Sequence, residues 1–238
     1  MPVFLHGLVP VPVLHHSLAS ASTLSWVIYQ KYVNAVPLYR QEKDWERIGY
    51  ALSRTTMANW IIRCSEDYFS KLVQRLKEEI LKENILHIDE AYVRILKKQG
   101  VSQYMWVYRT EKHCQRQIAI YRYDKSMSGD ITKEYLGEYD GYVHTDGYTG
   151  YNKLTKVTHY NCLAHVRRKF HEAIIMDSEN SIAKTARDFC DKLFAIEAEL
   201  DSLTSEERFN KRLMQERPVF EAFWSWAEKV APTVLPQT

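Results

Sequence analysis

The chain has 238 residues, 45% hydrophobic and 26% charged, which suits one or two globular domains with a sizeable core. Its formal net charge of +2 is too small to argue for nucleic-acid binding by itself, so any such surface has to come from local clustering. Four scattered cysteines (Cys64, Cys114, Cys162 and Cys190) form no Cys-x-x-Cys pair, which argues against a zinc ribbon or a disulfide framework and for reduced thiols in a cytoplasm.

The stretch from Met1 to Leu14 is apolar but broken by Pro2, Pro10 and Pro12, and no Lys or Arg precedes Lys31. It reads as an extended lead-in and not as a signal peptide. No run of about 18 apolar residues occurs, so no membrane span is expected. From Ser22 to Arg40 the pattern is helical, with Leu24, Val27, Ile28, Tyr32 and Val33 at helix spacing and Pro37 as an interruption. A short helix over 41–48 follows, with Gly49 as its C-terminal cap. Ser53 is the expected N-cap of a third helix running toward Lys82, whose apolar stripe is Met57, Ile61, Cys64, Tyr68, Leu72, Leu76 and Ile80. Helix, glycine turn and helix resemble a helix-turn-helix that would offer Arg54, Thr55, Asn59 and Arg63 to DNA; a plain helical bundle fits the same pattern.

The stretch Ile85-Leu86-His87-Ile88-Asp89-Glu90-Ala91-Tyr92-Val93-Arg94-Ile95-Leu96 reads as a buried strand. An unpaired carboxylate at Asp89 would be costly to desolvate there, so a partner or a metal ion is expected, unless the strand is an edge whose acids face water. A second β-rich run, Tyr142 to Thr145, ends on Asp146 beside Gly147. Between them, Lys97 to Gly100 is a polar turn, 104–109 and 115–124 are strands, and 130–136 is a short helix; a strand over 157–161 follows. This order is that of a ribonuclease H-like mixed α/β sheet, with Asp89 and Asp146 on neighbouring strands.

Hydrolysis or transfer of a phosphodiester needs an activated oxygen nucleophile and a stabilised leaving oxygen, and two Mg²⁺ or Mn²⁺ ions supply both. Such hard cations take carboxylates, so Asp89 is expected to bridge them and Asp146 to complete one shell. Glu90 alternates to the opposite face and is expected to be structural or to support the metal ligands from behind. His87 shares the face of Asp89, either bonding to it or packed as a core histidine. Cys162 and His165 share one face of the helix that follows; two ligands alone do not make a zinc site, and a satisfied pair buttressing the core fits them. The run Arg167-Arg168-Lys169 is either a footprint for phosphates or a solvated helix face.

The two Asp stretches and Cys-Leu-Ala-His-Val-Arg-Arg-Lys-Phe from Cys162 to Phe170 resemble, in this order, the transposase of the insertion sequence sixty-six family. His16 to Ser20, Lys31 to Val33, Pro37 to Glu42 and Leu52 to Trp60 match the same pattern, so the likeness covers nearly the whole chain. It implies a DDE recombinase that cuts and joins DNA ends with two metal ions, with Asp89 and Asp146 as the first two acids and transposon ends and target DNA as partners. Cys162 and His165 match the Cys-x-x-His signature of many such enzymes. The family's cysteine-rich zinc module and its Asn-Asn-x-x-Glu-Arg motif, which carries the third acid, are not found between Met1 and Thr238. The chain is therefore expected to be a truncated product, inactive alone, with an N-terminal helical region over 1–83, an incomplete core over 84–178 and a helical insertion over 179–238. An alternative is a non-catalytic DNA-binding or assembly remnant. Another is a ribonuclease H-type nuclease whose third acid is Asp177 or Glu179.

In the insertion, Ile182, Ala186, Phe189, Leu193, Ile196, Leu200 and Leu203 recur by four and three, as in a coiled-coil seam. They are expected to pack against a helix bearing Phe220, Phe223, Trp224 and Ala227, in a hairpin that projects from the sheet. Aromatic surface left exposed there would favour a homo-oligomer.

Overall fold

The computed structural model describes residues 11–94 and 103–234. The chain divides into two compact units between Glu79 and Ile80, a few residues before the expected boundary.

The first unit is helical. Helix α1 spans Ala21–Tyr32, α2 spans Leu38–Arg47 and α3 spans Arg54–Cys64. The Ser20 side chain caps α1 by accepting from Thr23 N, and Ser53 caps α3 by accepting from Thr56 N, so both helices begin where a short hydroxyl side chain can satisfy a free amide. Between α2 and α3 Gly49 takes φ +82, the left-handed conformation that ends a helix without a steric penalty for glycine. Val27, Leu52 and Met57 form one small core, and Leu14, Ala19, Leu24 and Cys64 another. Gln41 is fully buried, its amide donating to the carbonyls of Val27 at 3.3 Å and Val36 at 3.1 Å, which ties α2 to the end of α1. After α3 the helix passes through a π-turn, Ser65–Phe69, into α4, Ser70–Ile80. The long apolar stripe expected here is not buried along its length: Met57, Cys64 and Ile80 are, whereas Tyr68 and Leu72 are exposed. The extra residue of a π-turn rotates the following face away from the preceding one.

The second unit is built on a five-stranded mixed sheet, with β1 at Ile85–Val93, β2 at Gln103–Thr110, β3 at Ala119–Asp124, β4 at Tyr142–Thr145 and β5 at Thr158–Asn161. Their order in the sheet is β3-β2-β1-β4-β5, antiparallel from β3 to β1 and parallel from β1 to β5. This α/β architecture is the one the element order predicts and is consistent with a ribonuclease H-like fold. Ile95, Leu96 and the turn to Gly100, expected to continue β1, lie outside the described residues.

Alternation gives each face its character. One side carries Leu86 and Ile88 of β1, Trp106 and Tyr108 of β2, Ile120 of β3 and Val143 of β4, all buried. Helix α5, Gly129–Leu136, covers this side: Tyr135 stacks on Tyr108 at 4.0 Å, and the Tyr108 hydroxyl meets that of Thr132 at 3.4 Å. The other side carries His87, Asp89, Arg109 and His144. After β5 come α6 (Leu163–Met176), α7 (Ser181–Leu200), α8 (Ser205–Lys211), a π-turn (Arg212–Glu216) and α9 (Arg217–Val230).

The expected C-terminal hairpin forms, with two corrections. Phe189 of α7 meets Phe223 at 5.6 Å and Trp226 at 5.8 Å, whereas Phe220 and Trp224 are turned outward. The row that faces α7 runs through Phe223 and Trp226, and apolar spacing alone does not separate it from the adjacent row. The hairpin also does not stand clear of the sheet. It meets the β2–β3 turn, where Lys112 pairs with Asp201 and the buried Arg208 bonds the His113 ring at 3.0 Å.

Candidate active site

β1 and β4 are paired from Ile85↔Tyr142 to His87↔His144. Continuing that register by two residues brings Asp89 level with Asp146, the first residue after β4. Neighbouring strands lie about 4.8 Å apart, so two carboxylates at one level on one face can reach a common cation. Alternation puts Asp89 on the side of His87, away from Leu86, and the same alternation carried one residue past β4 would put Asp146 on the side of His144.

The segment after Asp146 loops back to β1. An Asp146 carboxylate oxygen accepts from Tyr148 N at 2.8 Å, around Gly147 at φ +84. A side chain on Gly150 would meet the Tyr148 ring at 2.2 Å, and one on Gly129 would meet the Gly150 carbonyl at 1.8 Å, so this loop lies directly on the first turn of α5. Tyr151 then enters the core, 2% exposed, and its hydroxyl donates to the Glu90 carboxylate. Burial raises the Glu90 pKa, the Tyr151 hydrogen bond opposes that rise, and the charges of Asp146 and Asp89 add to it. Tyr151 is pushed far up by burial, then by Glu90, Asp146 and Asp89. Asp89, Glu90, Asp146 and Tyr151 are thus one electrostatic neighbourhood, and Glu90 takes the structural place expected of it.

One step back along the strands, the Nδ1 atoms of His87 and His144 are 3.0 Å apart, with the rings edge-to-face. Burial, then His144 and Arg109, lowers the His87 pKa from 6.5 to about 4; burial, Arg109 and His165 lower that of His144. Both rings are neutral at pH 7, so one Nδ1–H donates to the other. Between pH 6.5 and about 4 the unfolded chain binds a proton at His87 that the folded chain does not. Stability is therefore expected to fall as pH drops through that window. Thermal melts across it should show a smaller drop for His87→Asn than for the wild type, and equal drops would remove His87 as the source.

The remaining expected residues are more dispersed. Cys162 is the N-cap of α6 and its N–H donates to the Thr145 carbonyl at 2.7 Å, while His165 Nδ1 is buried and unpaired among the described residues. Arg167 is tied to Asp191 of α7 and Lys169 lies 3.6 Å from Glu172, whereas Arg168 is exposed. Asp177 caps the far end of α6, a helix of 14 residues or about 21 Å, and among the described residues neither it nor Glu179 joins the acid pair in a three-ligand group. On α3, Arg54, Thr55 and Asn59 are exposed; Arg54 lies 4.0 Å from Glu42, and Arg63 donates to the His15 carbonyl at 2.8 Å. Sequence reasoning missed His144, Tyr151 and Arg109. The signal for the first was the repeated spacing His87-Ile88-Asp89 and His144-Thr145-Asp146.

The donor chemistry of Asp89 and Asp146 suits Mg²⁺ or Mn²⁺, which proteins hold by one or two carboxylates with water and substrate phosphate completing the shell. Among the described residues no group of three His, Cys, Asp or Glu side chains is arranged to hold a metal ion. The pair fits a cation shared with a phosphate and not a closed protein cage. Among the described residues, too, no helix is long and apolar enough to cross a membrane.

No solved structure matches the chain significantly. It is 24% identical over 183 residues to the uncharacterized protein y4qI of Sinorhizobium fredii, covering 70% of this chain and 34% of that protein. The uncharacterized proteins y4hP and y4jD of the same organism are each 24% identical, over 87% and 88% of this chain and 41% and 44% of their own lengths. The chain thus spans less than half the length of these relatives. The family model described as Transposase IS66 family matches residues 16–238, from the first helical unit through the acid pair to the C-terminal hairpin, and the chain belongs to that family.

Proposed function

We propose that this chain carries the catalytic core of a DNA transposase, with Asp89 and Asp146 holding Mg²⁺ or Mn²⁺ against a DNA phosphodiester. The observation that carries the reading is the parallel register of β1 and β4, which when continued by two residues brings the two acids level, in a chain of a transposase family. The bound cation would activate an oxygen nucleophile and neutralise charge on the phosphate. Asp89 and Asp146 supply its carboxylate oxygens, and Tyr148 N holds Asp146 in position. The Tyr151–Glu90 hydrogen bond ties the segment after β4 to β1 from the core side. DNA is the proposed partner along α3, through Arg54 and Asn59, and along α6, through Arg168 and Lys169, with Arg167 anchoring α6 to α7. The outward Trp224 and Phe220 support self-association, and action on a bacterial chromosome would take place in the cytoplasm.

The absence of a third converging ligand among the described residues favours a second reading, in which this chain binds and assembles on DNA without cutting it. Titration of Mn²⁺ into the purified chain, followed by nicking of supercoiled DNA, separates the two. Binding that is lost in Asp89→Asn and in Asp146→Asn, together with Mn²⁺-dependent nicking, is the expected result for the catalytic core. Mn²⁺ binding without nicking supports the assembly reading, and no Mn²⁺ binding at all overturns the metal site.

A further inference from the structure

The strand registers line up a second set of side chains beside the acids. Across the sheet, Arg109 of β2 is the partner of His87 of β1, His87 of His144 in β4, and His144 of Tyr160 in β5. These four form one row on a single face. The row of Asp89 and Asp146 lies two residues further along the same strands, about 6.6 Å away. The row borders two cavities that residues of the C-terminal helices also line. Arg109 and His87 line a cavity of about 460 Å³, and His87, His144 and Tyr160 line an adjoining one of about 630 Å³. Phe194, Glu197 and Arg212 of the C-terminal hairpin form the opposite wall of both. Tyr160 is 52% exposed and lies 5.5 Å from the exposed ring of Tyr142, while Arg109 is exposed and pairs with no carboxylate among the described residues.

Resting on the catalytic reading above, we propose that the row Arg109–His87–His144–Tyr160 binds the nucleotide next to the phosphodiester held at Asp89 and Asp146, on a single or locally opened DNA strand. The chemistry along the row fits the parts of one nucleotide. The Arg109 guanidinium matches a phosphate, the imidazole edges match sugar or base oxygens, and the Tyr160 and Tyr142 faces offer a surface on which a base stacks. The cavity volumes lie in the range of pockets that enclose a small organic ligand. A closed duplex cannot place a base there, because its bases are stacked within the helix. The substrate class is therefore single-stranded DNA at the site of reaction.

Fluorescence anisotropy with a labelled single-stranded oligonucleotide of about six nucleotides tests this, in EDTA and across a salt series. A strand of that length lacks the major groove a helix-turn-helix reads, so α3 does not dominate the signal. Tyr160→Ala is expected to weaken binding about tenfold. Arg109→Ala should lower the salt slope by about 0.7, and Arg109→Lys should restore it. Photocrosslinking from an iodouracil-bearing strand should map to Tyr160 or Tyr142. Unchanged affinity and slope in both alanine variants, or crosslinks confined to α3 or α6, would overturn the proposal. Mn²⁺ titration of the same variants keeps the two readings apart. Intact Mn²⁺ binding with lost strand binding supports the row, whereas a wild-type chain that binds the strand but no Mn²⁺ retires the metal site alone.

Discussion

Replacing Trp106 by Ala is expected to destabilise the sheet unit by about 3–5 kcal/mol. Trp106 is fully buried in the central part of β2, its ring edge-to-face with Tyr151 at 6.2 Å and its indole N–H donating to the Ser126 carbonyl at 3.3 Å. Truncation removes the apolar contact, opens a cavity and leaves that carbonyl without its donor. Domains of this kind are stable by about 5–15 kcal/mol, so the loss is a large fraction of the whole. Urea denaturation followed by circular dichroism measures it, with Trp224→Ala as the control. Trp224 is 61% exposed, and its substitution is expected to stay within about 0.5 kcal/mol. A Trp106 variant as stable as that control would show that β2 is not part of the core described above.

Tyr151→Phe should separate site geometry from fold. The variant keeps the ring that packs on Trp106 and Tyr148 but removes the hydroxyl that donates to Glu90. Leaving a half-buried carboxylate short of one donor costs about 1–3 kcal/mol. The larger effect is expected at the acids. Backbone pairing of β1 with β4 ends at His87 and His144, so Asp89 and Asp146 lie beyond the last ladder position. The Tyr151–Glu90 bond links β1, which stays paired with β2 as far as Val93, to the segment that follows β4. Its removal is expected to weaken Mn²⁺ binding roughly tenfold, as loss of an outer-shell partner commonly does. Glu90→Gln, which can still accept from Tyr151, should by contrast keep most of the wild-type affinity. Mn²⁺ affinity unchanged in Tyr151→Phe, with Asp89→Asn still abolishing it, would confine Tyr151 to a packing role.

Much of this arrangement is legible in the sequence because it depends on local chemistry. Ser53 and Gly49 mark a helix start and a helix end through their own backbone and side-chain preferences. The alternation around Asp89 assigns it and Glu90 to opposite faces before any partner strand is known. What could not be read is whatever depends on register between distant strands. His144 faces His87 and Tyr160 only once β1, β4 and β5 are aligned, and Arg109 joins them from β2. The orientation of α9 was also hidden. Phe220, Phe223, Trp224 and Trp226 are all apolar, and which of them turns toward Phe189 is settled by tertiary packing.

The shared level of Asp89 and Asp146 also sets how the length of this chain can change. Residues added to the β2–β3 turn, or between α5 and β4, leave both acids on the same face, because they alter neither strand upstream of its carboxylate. One residue added or removed between Ile85 and Asp89 does the opposite, since side chains alternate along a strand. The carboxylate of Asp89 would turn into the core beside Tyr151, and the neighbour of the Asp would turn toward the cavity. The short segments Ile85–Asp89 and Tyr142–Asp146 are therefore fixed in length by the facing of the acids, whereas the loops between them are not fixed by it.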